Sequence, residues 1–173
     1  MRKKVFLALG LVAAIGVAVG LYLFQPWKVF TSSELHEPPP AAAAEPQQQP
    51  TTTEARKPLP KQMAEGKFVS QEHETSGTAQ LIRRVDGRFV LRFEKLASSD
   101  GPDLHVWLTD RKAGLDDWAA YDDGRYVALG ALKATHGEQN YLLPKGTKLD
   151  GLRSVVIWCD RFNVAFGSAP VDL

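Results

Sequence analysis

The chain has 173 residues, 21 basic and 20 acidic side chains for a formal net charge of +1, and a single cysteine. No block of like charge follows the first few residues, which argues against a nucleic-acid partner, since phosphate binding needs a concentrated basic face. The single cysteine excludes an intramolecular disulfide, a cysteine-based zinc cluster and a C-x-x-C redox pair, so a packed core must stabilise the fold.

The N-terminal segment is apolar enough to enter a membrane. Residues 5–24 are all apolar, aromatic or glycine, and a helix of about 20 residues spans the roughly 30 Å hydrocarbon core of a bilayer. Three basic residues at positions 2–4 precede it, and the positive-inside rule then keeps residues 1–4 in the cytoplasm. The sequence therefore predicts a single-pass signal anchor over residues 5–24, in the cell membrane, with the C-terminal part extracytoplasmic.

A cleaved signal peptide is the alternative interpretation of this segment. The apolar core of a signal peptide is usually about 7–15 residues long and ends at a small-x-small cleavage site. Here the longer apolar run is followed by Gln25-Pro26-Trp27-Lys28, which contains no such site. The uncleaved anchor is therefore the prediction, and cleavage stays open.

The next segment, residues 25–63, is predicted to be a linker. Its stretch from Thr31 to Gln62 holds seven of the 11 prolines, together with runs of alanine, glutamine and threonine, and almost no branched aliphatic residue. Such a composition cannot bury enough apolar surface to offset the entropy of ordering, which predicts a disordered or extended segment. It would act either as a spacer across a layer of the cell envelope or as a passive connection.

Residues 64–173 are predicted to form one all-β domain, an antiparallel sandwich or barrel. Asp-Gly pairs, which favour tight hairpin turns, recur along it, and the clearest is Asp86-Gly87 between the strands 80–85 and 88–96. Residues 104–108 alternate apolar and polar side chains, and 154–159 form a continuous apolar run typical of a central strand. Helical periodicity is weak, with Leu115–Tyr121 the best candidate for a short helix or structured loop.

Recognisable catalytic and metal-binding motifs are missing from the sequence. It contains no G-x-S-x-G, H-E-x-x-H, P-loop or dinucleotide fingerprint. A cluster of four aspartates (Asp116, Asp117, Asp122 and Asp123) does not have the spacing of an EF-hand loop and is interpreted as solvated. The sequence therefore predicts no dedicated metal site, and the missing motifs favour an accessory module over an enzyme with its own substrate.

Cys159 is the candidate redox thiol and the candidate thiolate ligand of a cofactor. It lies in a predicted oxidising compartment without a partner cysteine, at a strand end where its side chain can approach the surface, and next to Arg161, which would favour the thiolate. The competing interpretation is a buried Cys acting as a small hydrophobe. His73 and His105 are weaker candidate ligands; haem stays open as a cofactor, and blue copper is disfavoured because no histidine follows Cys159.

The predicted domain resembles the DM-thirteen family, a small extracellular module found beside DOMON and cytochrome-b-type domains or alone on bacterial membrane anchors. The resemblance covers roughly residues 66–171. Its marks are His73-Glu74-Thr75-Ser76-Gly77-Thr78, Gly101-Pro102-Asp103-Leu104, Gly137-Glu138-Gln139-Asn140-Tyr141 and Ser154-Val155-Val156-Ile157-Trp158-Cys159. The residues that follow the anchor, 25–28, also resemble those of actinobacterial members.

Two functions follow from these observations. The resemblance implies an electron-transfer or redox module centred on Cys159, which matches the hallmark cysteine of the family, either as a naked thiol or as a ligand of a prosthetic group such as haem. The alternative is a non-catalytic envelope module that binds a protein or a glycan, with a structural Cys159. In both functions residues 5–24 would insert into the membrane. The identity of a redox partner protein stays open.

Overall fold

The structure, a computed structural model, describes residues 2–40 and 60–173. It begins with α1 (Arg2–Phe24), followed by a short 3₁₀ helix, Pro26–Phe30. The side chains of α1 are largely exposed, and the helix is long and apolar enough to cross a membrane. Its 23 residues correspond to a length of about 35 Å.

Within the described residues, ten strands form two five-stranded sheets. Sheet A has the order β1-β8-β5-β4-β2, and sheet B has the order β3-β10-β9-β6-β7. The strands are β1 (Glu34–His36), β2 (Lys61–Lys67), β3 (Val69–Ser70), β4 (Ser76–Arg83), β5 (Phe89–Ala97), β6 (Leu104–Thr109), β7 (Tyr126–Ala131), β8 (His136–Leu142), β9 (Ser154–Cys159) and β10 (Val164–Pro170). All neighbouring strands are antiparallel except β1, which runs parallel to β8.

The two sheets pack face to face over one hydrophobic core. Sheet A contributes Leu81, Leu91 and Phe93, and sheet B contributes side chains such as Ile157 and Phe166, all fully or almost fully buried. The predicted all-β fold class is confirmed, and the described residues form an open sandwich rather than a closed barrel. Burial of these apolar side chains supplies the stabilisation that the missing disulfide cannot give.

Several predicted elements are observed where the sequence placed them. β4 and β5 form the Asp86-Gly87 hairpin, in which Gly87 adopts the positive φ of 80° that the turn requires. The run 154–159 is β9, the third strand of sheet B and buried along its whole length. Residues 115–121 form a structured loop rather than a helix.

The loop between β6 and β7 explains why β9 is buried on both faces. Tyr121 lies in a small apolar cluster on the outer face of sheet B, and its hydroxyl donates a hydrogen bond to Ser168 Oγ at 2.9 Å. The backbone amide of Gly114 also donates to Ser168 Oγ, at 2.9 Å. The loop is thereby fixed over the sheet and excludes water from the second face of its central strand.

Both ends of the predicted linker contain β structure. β1 lies inside it, and β2 begins at Lys61, before the predicted domain start at residue 64. The composition of the linker gave no sign of β1, because the three residues of this strand are mostly polar and pair with β8 through the backbone. Residues 41–59 lie outside the described residues.

β1 is bound to the edge of sheet A through backbone and side-chain contacts. The amide of His136 donates to Ser33 O at 2.9 Å, and the amide of Glu37 donates to Glu138 O at 2.9 Å. Lys133 Nζ donates to Glu37 Oε1 at 2.8 Å. β1 therefore covers an edge that would otherwise present unpaired backbone groups.

The ion pair between His36 and Glu138 joins β1 to β8, and we expect it to make the attachment of β1 sensitive to pH. Hydrogen bonding to Glu138 raises the pKa of His36 above 6.5, and hydrogen bonding to His36 lowers the pKa of Glu138 below 4.5. The His36 contribution is complete below its unfolded pKa and is lost as the pH rises through the raised folded value. The Glu138 contribution is complete above its unfolded pKa and is lost as the pH falls through the lowered value.

We expect the stability advantage of the native chain over His36→Gln to be present at about pH 5.5 and lost by about pH 8.5. Both side chains are solvated, so the advantage should be small and should decrease with salt. Thermal unfolding of the two chains at both pH values measures this stability advantage. An advantage of equal size at both pH values would show that it does not come from the ion pair of His36 with Glu138.

Candidate functional site

Cys159 is the last residue of β9 and lies between two neighbouring strands. It pairs with Leu104 of β6 on one side and with Val164 of β10 on the other. Its side chain has 0% exposure and belongs to the main core between the sheets. The expectation that a strand end would bring this side chain to the surface is wrong, because its position along β9 directs it inward.

The environment of Cys159 favours the neutral thiol. Burial raises the pKa of its thiol, while hydrogen bonds from backbone groups of Phe162 and Arg161 act in the opposite direction and only reduce the shift. The prediction that Arg161 lowers the pKa of the thiol is therefore wrong, because the net shift of this pKa is upward. Because the thiolate is the nucleophilic and metal-binding form, burial and the raised pKa of Cys159 both disfavour reaction of its thiol in this conformation.

His105 lies close to Cys159 in the sheet but on the opposite face. It is paired with Trp158, and successive residues of a strand point to opposite sides. Trp158 belongs to the outer cluster of sheet B, whereas Cys159 belongs to the inner core. The two predicted ligands therefore do not converge on one metal ion, and a blue-copper site built from them does not fit.

Two aspartates surround the imidazole of His105. His105 Nε2 lies 2.9 Å from Asp103 Oδ1 and 3.6 Å from Asp160 Oδ2. One ligand atom from each of the three residues lies within 4.8 Å of the others. In the described parts of the chain, this is the group whose donor atoms could hold a metal ion.

The backbone holds the two aspartates at this separation. Asp160 directly follows β9 and Asp103 directly precedes β6, and the amide of Asp160 donates to Asp103 O at 3.0 Å. The side chains of Asp103, His105 and Asp160 are 43%, 29% and 48% exposed, so the cluster opens to solvent. It could bind an ion and still admit water.

Stacked aromatic rings continue from this cluster along the outer face of sheet B. Trp158 lies opposite His105, and its ring stacks on Trp107 with centroids 4.9 Å apart. Trp107 in turn stacks on Tyr126 at 4.1 Å. Trp158 is 1% exposed and Tyr126 is 44% exposed, so the row runs from the interior to the surface.

His73 lies away from this cluster and is half-buried. Its ring packs on Phe166, with centroids 3.9 Å apart, and burial lowers the pKa of His73. No contact joins it to Cys159 or His105 among the described residues. The structure therefore gives His73 a packing role, while the aspartate cluster at 116–123 is exposed to solvent.

The loops beside Cys159 and the Asp-His-Asp cluster contact the last residue of α1 and the segment that follows it. Phe24, the last residue of α1, stacks on Phe162, with ring centroids 6.0 Å apart. Lys28 Nζ donates to Gly101 O at 3.0 Å, and Thr31 Oγ1 lies 2.6 Å from an oxygen of Asp100. These contacts fix this end of the sandwich beside the C-terminus of the apolar helix.

Sequence reasoning missed Asp103 and Asp160 as members of the site. Asp103 falls only within one of the marks of the family resemblance, and no motif contains Asp160. The signal that could have found them is the position of each aspartate at the end of an apolar run, where strand pairing brings them together.

The fold and the site define a class of protein: a two-sheet β-sandwich with a buried cysteine, preceded by an apolar helix of membrane-spanning length. The family profile described as "Electron transfer DM13" matches residues 67–171, which is more than half of the chain. The chain therefore belongs to the electron transfer DM13 family. No curated protein and no solved structure gives a significant match to it.

Proposed function

We propose that this chain is a membrane-anchored, extracytoplasmic electron-transfer module whose redox end faces the membrane surface. The observation that carries the proposal is the contact of the Cys159 end of the sandwich with the C-terminal end of α1 and the segment after it, in a domain of an electron-transfer family. The three basic residues at positions 2–4 favour a cytoplasmic N-terminus. A redox partner would then approach from the membrane or along its surface.

The contribution of Cys159 to this function requires the core to open locally. The thiol is enclosed and its pKa is raised, so exchange with a partner thiol or binding of haem needs movement of β6, β9 or β10. The cavity lined by Asp103, Leu104 and Lys28 measures about 200 Å³, which is smaller than the roughly 300–1,000 Å³ of most cofactor pockets. Cys159 does not line this cavity and is fully enclosed, so in this conformation it does not fit as an axial ligand of haem.

A non-catalytic binding module is the second candidate, and the burial of Cys159 favours it. A free cysteine with no exposed surface commonly serves as a small hydrophobe. In that case the domain would display a binding surface for a protein or glycan outside the membrane. Cys159 would contribute only packing.

Redox titration of the full chain, purified in detergent from cells supplied with haem and metals, distinguishes the two candidates. We expect a reversible optical or electrochemical redox transition in the native chain and its loss in Cys159→Ser, with unchanged circular dichroism. Cys159→Ala serves as the matched control for the hydroxyl group that serine introduces. A native chain without any transition, or a transition kept in both variants, would leave Cys159 with a structural role only.

A further inference from the structure

We propose that Asp103, His105 and Asp160 bind one divalent transition-metal ion on the outer face of sheet B. The inference does not rest on the proposed function, because an ion without redox chemistry, such as Zn²⁺, would satisfy it. It also does not involve Cys159, whose side chain lies on the other face of the sheet.

The geometry of the three donor atoms is close to that of a metal site. Bonds of about 2.0–2.2 Å in a tetrahedral site place neighbouring ligand atoms roughly 3.3 Å apart. The separations of His105 Nε2 from the two carboxylates, 2.9 and 3.6 Å, lie on either side of that value. All three ligand atoms lie within 4.8 Å of one another, and rotation of the partly exposed Asp103 and Asp160 side chains would bring them onto one ion.

The balance of charge at the cluster favours a cation. Two carboxylates share one imidazole, and within residues 2–40 and 60–173 neither Asp103 nor Asp160 forms an ion pair with a lysine or an arginine. Like charges on neighbouring strands repel each other, and the backbone bond between Asp160 and Asp103 prevents them from separating. A bound divalent ion would remove this repulsion.

The types of ligand limit which ion is bound. Ca²⁺ and Mg²⁺ prefer sites made only of oxygen atoms, whereas an imidazole with carboxylates suits Zn²⁺, Cu²⁺ and similar ions. Three protein ligands on an open surface leave coordination positions for water, as in metal sites that remain accessible. The neighbouring Trp158, opposite His105 in the sheet, gives the site a fluorescent reporter.

Titration of the full chain in detergent, without an affinity tag that binds metal, tests the proposal with Cu²⁺ and with Zn²⁺. We expect one equivalent of Cu²⁺ to bind, to quench tryptophan fluorescence and to give an electron paramagnetic resonance spectrum with one nitrogen ligand. One equivalent of Zn²⁺ should raise the unfolding temperature. His105→Gln and Asp160→Asn should each weaken binding about tenfold or more.

Two matched variants serve as controls. His73→Gln removes a histidine outside the cluster, and Asp172→Asn removes an exposed aspartate at the other end of the domain; both should bind as the native chain does. Because the Asp160 side chain is exposed, Asp160→Asn should keep the fold, and circular dichroism checks this. Equal binding by all variants, no stoichiometric binding by the native chain, or loss of binding in Cys159→Ser would each overturn the three-residue site.

Discussion

Replacement of Gly137 by alanine is expected to detach β1 from sheet A and to lower the free energy of unfolding by about 2–4 kcal/mol. Gly137 has a φ of 96°, and a Cβ there would lie 2.2 Å from the carbonyl oxygen of Leu35. The obstructing atom belongs to the backbone of β1, so β1 itself must move. Thermal unfolding and hydrogen exchange of the Glu37 and His136 amides, which bond across this edge, measure the effect.

Gly130 provides a matched control for the strain of the backbone alone. Its φ of 109° is similar, but nothing lies within 4 Å of the Cβ that alanine would add. Gly130→Ala should therefore cost only about 1–2 kcal/mol and leave the amides of β1 protected. Equal losses in the two variants, with no faster exchange at Glu37, would contradict the steric role of Gly137.

Replacement of Phe93 by alanine is expected to have a larger effect, about 3–5 kcal/mol. The side chain is fully buried and contacts Phe68 edge-to-face at 5.1 Å and Tyr141 at 5.4 Å between centroids. A domain of this size is usually stable by only about 5–15 kcal/mol. Phe93→Ala should therefore unfold at a much lower denaturant concentration, which urea titration of the full chain would measure.

Phe30→Ala is the corresponding control outside the core. Phe30 is 89% exposed, and its truncation should change stability by no more than about 0.5 kcal/mol. If Phe93→Ala also fell within that range, the core between the sheets would not be packed as described.

The strands that were predicted from the sequence are those whose own side chains form a recognisable apolar pattern. β9 has six residues that are all buried, so a continuous apolar run identifies it as central. β5 follows an Asp-Gly turn and is rich in apolar side chains. In both cases the local composition is sufficient to predict the strand.

β8 could not be found in this way because one of its inward residues is polar. Gln139 is fully buried, and its amide is satisfied by Ala134 O at 2.6 Å and by the hydroxyl of Tyr141 at 2.6 Å. A hydropathy pattern counts this residue as exposed, whereas the tertiary structure supplies its partners. The strand is thus defined by hydrogen bonds that arise only after folding.

The position of Cys159 at the end of a strand was predictable, but the orientation of its side chain was not. The sequence correctly places Cys159 at the end of a strand, yet the side chain that faces outward there is that of Trp158. A shift of one residue exchanges the two faces of a strand, and only the packing of both sheets fixes which face is inside. For the same reason the approach of Asp103 to Asp160, from strands far apart in the chain, depends on the pairing of β6 with β9.

The two ends of the proline-rich segment lie on opposite edges of sheet A, since β1 and β2 are its outermost strands. Four strand spacings separate these edges, roughly 19 Å, and residues 41–59 are the part of the chain that joins them. Lengthening this segment would therefore add residues between two strands of the same sheet, at small entropic cost, and would not move the domain relative to the helix. The distance between the sandwich and the end of α1 is set instead by residues 25–33. Insertions in these residues, and not in the proline-rich segment, would therefore change the distance of the domain from the helix.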